Sequence, residues 1–187
     1  MSAVGEQPLA SFLDEVAQAT PAPGGGSSAA LALALAAALV EMTASLTGDA
    51  DTASRANDLR VQALLQAERD LSSYARVLEA ERLPRDDPSR RGRLEQALLE
   101  ASRPPLAIAE GAAEAAELGA AVARTSSPHV RGDAVTGTLL AEASAAAAAT
   151  LVEINLAQQP GAPERERART ARERASRARE EAESGSR

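Results

Sequence analysis

The chain is 187 residues long, 44% hydrophobic and rich in alanine, with a single Phe and a single Tyr; this fits one all-α domain whose helices pack closely through small side chains. It has no cysteine, no lysine and one histidine, His129. That excludes thiol and Schiff-base nucleophiles, disulfides, a P-loop lysine and a paired-histidine metal site, so no metal is expected. The net charge is −7, and residues 1–163 alone carry −9, because residues 164–187 hold eight arginines against six acidic residues; an acidic body disfavours nucleic acid and suits a cationic ligand.

The opening MSAVGEQ has neither a basic n-region nor an apolar h-region, so no signal peptide and a cytoplasmic location are expected. A first helix is predicted from near Pro8 to Ala19, with Leu9, Phe12, Leu13 and Val16 at helical spacing. Thr20-Pro21-Ala22-Pro23 stops it, and Gly24-Gly25-Gly26-Ser27-Ser28 then forms a tight turn into a second helix running to about Leu46. That helix is apolar nearly all round and is predicted to be the long central helix of the bundle. Its run Ala29–Val40 is too short and too alanine-rich to span a bilayer, so no membrane partner is expected.

A long amphipathic helix follows from about Thr52 to Arg82, and Pro84 to Pro88 ends it. Arg90–Ser102 and Leu106–Ala123 are either two helices separated by Pro104-Pro105 or one kinked helix. A loop over Thr125–Gly132 leads to a last core helix, Asp133–Ala157. Domain 1–159 is thus a compact bundle of about six helices. Residues 160–187 carry no large apolar side chain and are predicted to be a charged, solvated helix or a disordered tail. The tail is assigned no catalytic role, and its removal is expected to leave the fold intact. A coiled-coil or membrane adaptor built on it is set aside for want of a sustained heptad.

The segment Pro23-Gly24-Gly25-Gly26-Ser27 with its flanks Phe12-Leu13-Asp14-Glu15 and Met42-Thr43-Ala44-Ser45 resembles the signature of the cyclodeaminase/cyclohydrolase family. Three further segments, Asp70-Leu71-Ser72-Ser73-Tyr74, Pro105-Leu106-Ala107-Ile108-Ala109 and Asp133 with Ile154-Asn155-Leu156, match in the family's order, so the resemblance spans about residues 8–159. The family includes the C-terminal domain of formiminotransferase-cyclodeaminase and stand-alone methenyltetrahydrofolate cyclohydrolases. The resemblance implies an all-helical homodimer with a tetrahydrofolate derivative as substrate and no tightly bound cofactor. The reaction implied is hydration of 5,10-methenyltetrahydrofolate to 10-formyltetrahydrofolate or deamination of 5-formiminotetrahydrofolate. No formiminotransferase domain is attached in this sequence, which tilts the expectation to the cyclohydrolase. The chain departs from the family at Gly48-Asp49-Ala50-Asp51, where relatives often have lysines, and at Gly132, where a serine often precedes the aspartate. These changes bear on substrate affinity and on binding of a polyglutamate tail. A non-catalytic homodimer that keeps the fold and binds a partner or small ligand is the alternative.

Water attacking a methenyl bridge needs a base and a negative charge beside a cationic carbon. The resemblance assigns that role to Asp70 and Asp133. Read from the residues alone, Asp70 is either a site carboxylate inside a helix or an exposed residue paired with arginine, and Asp133 also fits a helix N-cap. Gly24, Gly25, Gly26 and Ser27 offer free N–H groups to an anion or to the pterin edge, or else permit a close helix crossing, and Pro23 is taken with them as a substrate-binding residue. Tyr74 is a pterin-stacking or core residue, and Asn155 a ligand contact or a satisfied buried amide. Glu41 is either a buried functional carboxylate or the point where its helix surfaces, while Asp14, Glu15 and His129 are expected at the surface.

Overall fold

A computed structural model describes residues 4–184 of the chain, which form six helices and, among the described residues, no strand. Helix α1 (Leu9–Val16) follows Pro8 and ends three residues earlier than predicted, with Phe12 buried. Helix α2 (Gly25–Thr47) begins inside the glycine run and stops at Gly48, whose φ of 79° is the left-handed conformation in which glycine avoids a Cβ clash. Two residues later α3 (Ala50–Glu81) begins, capped by Asp49, whose carboxylate accepts the Thr52 N–H at 3.0 Å. Of the two readings of the following segment the single helix is realised: α4 (Arg90–Thr125) continues without interruption through Pro104 and Pro105. Helix α5 (Pro128–Asn155) starts five residues before the predicted Asp133, because Pro128 suits a first helical turn. Helix α6 (Pro163–Ser184) is the last element among the described residues.

Short connections make α2, α3, α4, α5 and α6 alternate in direction, and α2, α4 and α5 approach through glycine and alanine. A Cβ at Gly119 would lie 2.5 Å from Thr138 Oγ1 and 3.1 Å from Val40 Cγ2, and one at Gly137 would lie 3.2 Å from the Ala36 carbonyl. Such spacing lets backbones interlock without large side chains, which is why the core is mostly alanine with a few branched residues such as Ile108, Val40 and Val152. Ser144 ties α5 to α2 by donating to the Ala29 carbonyl at 2.8 Å. Gly119→Ala is therefore expected to overpack this crossing by about 1–3 kcal/mol, read as a lowered Tm in a thermal melt; an unchanged Tm would show that α4 and α5 can move apart freely.

By length and mean hydropathy, 1.9 and 1.4, α2 and α5 are each apolar enough to cross a membrane, so the apolar stretch is longer than the run Ala29–Val40 suggested. About half of each window is nevertheless buried inside the bundle. Glu41 marks the point where α2 surfaces: it is half-buried and accepts from Arg60 at 2.8 Å.

The segment beyond residue 159 is helical but does not stand free in solvent as predicted. Ala168, Ala171, Ala175, Ala178 and Ala182 of α6 are all buried against α4 and α5. Their spacing of three and four residues is a heptad of methyl groups, and it escapes notice when only large apolar residues are counted as a seam. Alongside it, Arg167 pairs with Glu110, Arg174 with Glu117 and Arg124 with Glu181, with contacts of 2.7 to 3.0 Å. Each pair is separated by the same 57 positions in sequence, so α6 lies parallel to α4 in a fixed register.

Candidate functional site

The glycine loop, the middle of α3, the proline step of α4 and the end of α5 converge on one cleft of about 210 Å³. Its walls are Pro21, Ala22, Gly24, Gly25 and Gly26 from the loop, Asp70, Ser73 and Tyr74 from α3, Ala101 and Pro105 from α4, and Leu151 and Asn155 from α5. Local chemistry shapes each wall. The first intrahelical bond of α2 runs from Ser28 N–H to the Gly24 carbonyl at 3.1 Å, so the amides of Gly25, Gly26 and Ser27 have no partner within the helix.

Asp70 answers part of that need from across the cleft. The Ser27 hydroxyl donates to Asp70 Oδ2 at 3.3 Å, and the Ser27 backbone N–H also faces the carboxylate. The carboxylate lies so close over Gly26 that a Cβ there would overlap it. Only glycine fits this position, so Gly26→Ala is expected to displace Asp70 and disrupt the cleft, whereas Gly25→Ala meets only Leu151 methyls at 3.7 Å and is expected to be mild. Burial pushes the Asp70 carboxyl above the usual aspartate value, and the hydrogen bonds from Ser27 oppose that rise in part. The net result is a half-buried carboxylate with enhanced basicity lining a pocket.

Asn155 has a different role. Pro105 lacks the N–H that would otherwise bond to the Ala101 carbonyl four residues back, and Asn155 Nδ2 donates to that carbonyl at 3.1 Å. The side chain thus takes up the carbonyl that Pro105 leaves unpaired in α4 and fastens the end of α5 to it. This favours the satisfied-amide reading of Asn155 over a free ligand contact. Asn155→Ala is expected to lower stability by about 1–3 kcal/mol through the orphaned carbonyl, measurable by denaturant unfolding.

The remaining predicted residues divide clearly. Gly24, Gly25, Gly26, Asp70, Tyr74 and Asn155 meet in the cleft, and Tyr74 is partly exposed at 39%, so it is not a core residue. Pro23 is buried behind the loop, after a cis Ala22–Pro23 peptide bond, and Ser27 is fully buried behind Gly26; neither lines the cleft. Asp133 is not brought to it. It is exposed in the second turn of α5, 22 residues and so about 33 Å along the axis from Asn155. It is also not the helix cap, because Ser127 holds that place. Ser73 and Leu151 line the cleft without having been singled out; each lies one helical turn from a residue that was, Asp70 and Asn155 respectively. Among the described residues no group of three or more acidic or histidine side chains is placed to hold a metal ion.

A family model for formiminotransferase-cyclodeaminase matches residues 8–177 of the chain. The chain belongs to that family. The match runs past residue 159 into α6, in keeping with the packing of that helix on the bundle. A crystal structure of formiminotetrahydrofolate cyclodeaminase from Thermotoga maritima superposes with a TM-score of 0.85 at 21% identity, covering 97% of this chain and 96% of that one. At that identity the likeness establishes a shared helical fold. No curated protein matches the sequence significantly. In this family member the glycine signature therefore has a physical reading: it clears the backbone so that a carboxylate from α3 can lie over the start of α2.

Proposed function

We propose that the chain is an enzyme acting on the one-carbon unit of tetrahydrofolate, and that deamination of 5-formiminotetrahydrofolate is its reaction, with hydration of the methenyl bridge as the sister activity at the same carbon. The observation that carries this reading is Asp70, a half-buried carboxylate of raised basicity facing a cleft built from the glycine loop. Family membership and the cyclodeaminase identity of the Thermotoga neighbour support the choice of substrate.

Both reactions pass through a tetrahedral carbon next to a cationic amidine. In the deamination, N10 bonds to the formimino carbon and gives its proton to Asp70, which passes it to the leaving nitrogen; the carbon–nitrogen bond breaks, ammonia departs and the methenyl bridge remains. In the hydration, water bonds to the methenyl carbon while Asp70 takes one of its protons; the bond to N5 then breaks with that proton returned to N5, and the hydroxyl loses its remaining proton to solvent as the formyl carbonyl forms. In each case the negative carboxylate also stabilises the cationic centre.

Supplying purified protein with 5-formiminotetrahydrofolate and, separately, with 5,10-methenyltetrahydrofolate tests this directly. Appearance of the methenyl chromophore with release of ammonia supports the deaminase, and loss of that chromophore above the buffer rate supports the hydrolase. No change in either, together with tight binding of a folate, would favour the non-catalytic bundle. That second reading has one observation behind it: Asp70 and Asn155 each already perform a structural task, as partner to the start of α2 and as repair of α4.

The protein is further proposed to act as a homodimer in the cytoplasm. Support comes from Leu35, Met42 and Leu46 of α2 and Leu139 and Ile154 of α5, which are 39% to 65% exposed. A single bundle leaves this apolar surface uncovered. Sedimentation at micromolar concentration giving only monomer would sink the dimer.

A further inference from the structure

We propose that Ser27 is a positioning residue for Asp70 and touches no substrate: its hydroxyl holds the carboxylate over Gly26 in the orientation from which it accepts a proton. This rests on the reading of Asp70 as the base. The glycine signature invites the view that Ser27 contacts the ligand, yet its side chain is wholly buried and absent from the cleft wall. What it does touch is Asp70 Oδ2, at 3.3 Å and 43 residues away in sequence. Three features make the contact directional. Ser27 is the third residue of α2, so its N–H is free of intrahelical bonding and points the same way as its hydroxyl toward the carboxylate. Gly26 has no Cβ, so the carboxylate can rest against the backbone. Asp70 itself is anchored on an unbroken stretch of α3.

Among the described residues, no other charge acts on Asp70 appreciably. Tyr74, on the same helix, is the one other titratable group on the cleft wall among the described residues. Helices α2, α4 and α5 present only Gly25, Gly26, Ala101, Pro105, Leu151 and Asn155 to it. Glu100, one turn before Pro104, is committed to Arg103 at 2.8 Å, and Glu153 to Arg165. The hydroxyl and amide of Ser27 are therefore the groups that oppose the effect of burial on this carboxyl, and deleting the hydroxyl removes a hydrogen bond to the charged form specifically.

The test is Ser27→Ala, with Ser27→Gly as a second deletion of the hydroxyl should alanine fail to fold. Carbon-13 NMR of the Asp70 carboxyl in the free protein is expected to show its titration moving upward by about one pH unit, the scale of one hydrogen bond to a charged group. The acid limb of the pH profile of kcat/KM should move with it, while KM at a pH above that limb stays within about twofold, because no substrate contact is lost. An unmoved Asp70 titration overturns the inference whatever the activity, and a large rise in KM with an unmoved acid limb assigns Ser27 to the substrate instead. If the wild-type protein turns over neither folate, the proposed function fails by itself, and the NMR titration still decides whether Ser27 governs Asp70.

Discussion

Asp70→Asn is expected to lower turnover by about a hundredfold or more while changing KM only a few-fold and, at neutral pH, to raise the melting temperature. The two effects share one cause. The amide is nearly isosteric and can still accept the Ser27 hydrogen bonds through its oxygen, so cleft shape and substrate contacts persist. It has no basicity with which to take a proton and no charge to place beside a cationic carbon. The stability gain follows from linkage. Burial raises the carboxyl above its ordinary value of 3.8, so the folded state holds this proton more tightly than the unfolded chain does. Stability from this group is therefore complete below the ordinary value, is lost as pH climbs through the raised value, and stays lost above it. Asparagine does not titrate, so the difference in Tm between variant and wild type should be small at pH 4 and open in the variant's favour by pH 7. Thermal melts at the two pH values check the sign, and steady-state kinetics check the rate. A variant with full turnover would place the chemistry elsewhere, and one less stable at pH 7 than at pH 4 relative to wild type would mean that the charge on Asp70 supports the fold.

What the sequence disclosed depended on whether a residue's role was local. The start and stop of α2, the single helix from Ala50 to Glu81 and the glycine loop all follow from neighbouring residues, and periodicity and turn chemistry read them within a few positions. Asp70 stood out because aspartate has no reason of propensity to sit mid-helix. Its partner was not legible, since Ser27 and Asp70 are 43 residues apart and only the crossing of α2 and α3 joins them. The same holds for Asn155, whose bond to Ala101 spans 54 residues; the prolines announced an orphaned carbonyl, but not which side chain would meet it. Asp133 failed in the opposite direction. Its place after Gly132 looked like a helix start, yet Pro128 begins the helix earlier and leaves Asp133 on the exposed face, far from the cleft. In each of these cases the missing information was the relative placement of helices, which in an alanine-rich bundle is set by where glycines permit close approach and not by a pattern visible along one helix.

Deleting residues 163–187 is expected to lower the melting temperature by about 10 °C or more, against the expectation that composition alone supports. By composition alone, a segment without large apolar residues cannot join a core. Alanine escapes that argument when the opposing surface is also alanine, because two helices can then approach until their backbones nearly touch, and each methyl is fully enclosed. Five buried methyls on α6 contribute about 0.8 kcal/mol apiece, and removal of α6 also exposes the faces of α4 and α5 that they cover. The ordering entropy regained by the freed segment offsets part of this, leaving a net loss of a few kcal/mol, each worth about 2–4 °C in a domain of this size. The ion pairs with Glu110, Glu117 and Arg124 lie at the surface, with side chains between about a third and two thirds exposed, so they set register more than stability. Two variants separate the contributions. Ala175→Glu places a charge where the native side chain is wholly buried and should approach the effect of truncation, whereas Arg174→Ala should shift the melting temperature by no more than a few degrees. A truncated chain that melts where the full one does, or an Ala175→Glu variant that is tolerated, would mean that α6 rests on the bundle without holding it together.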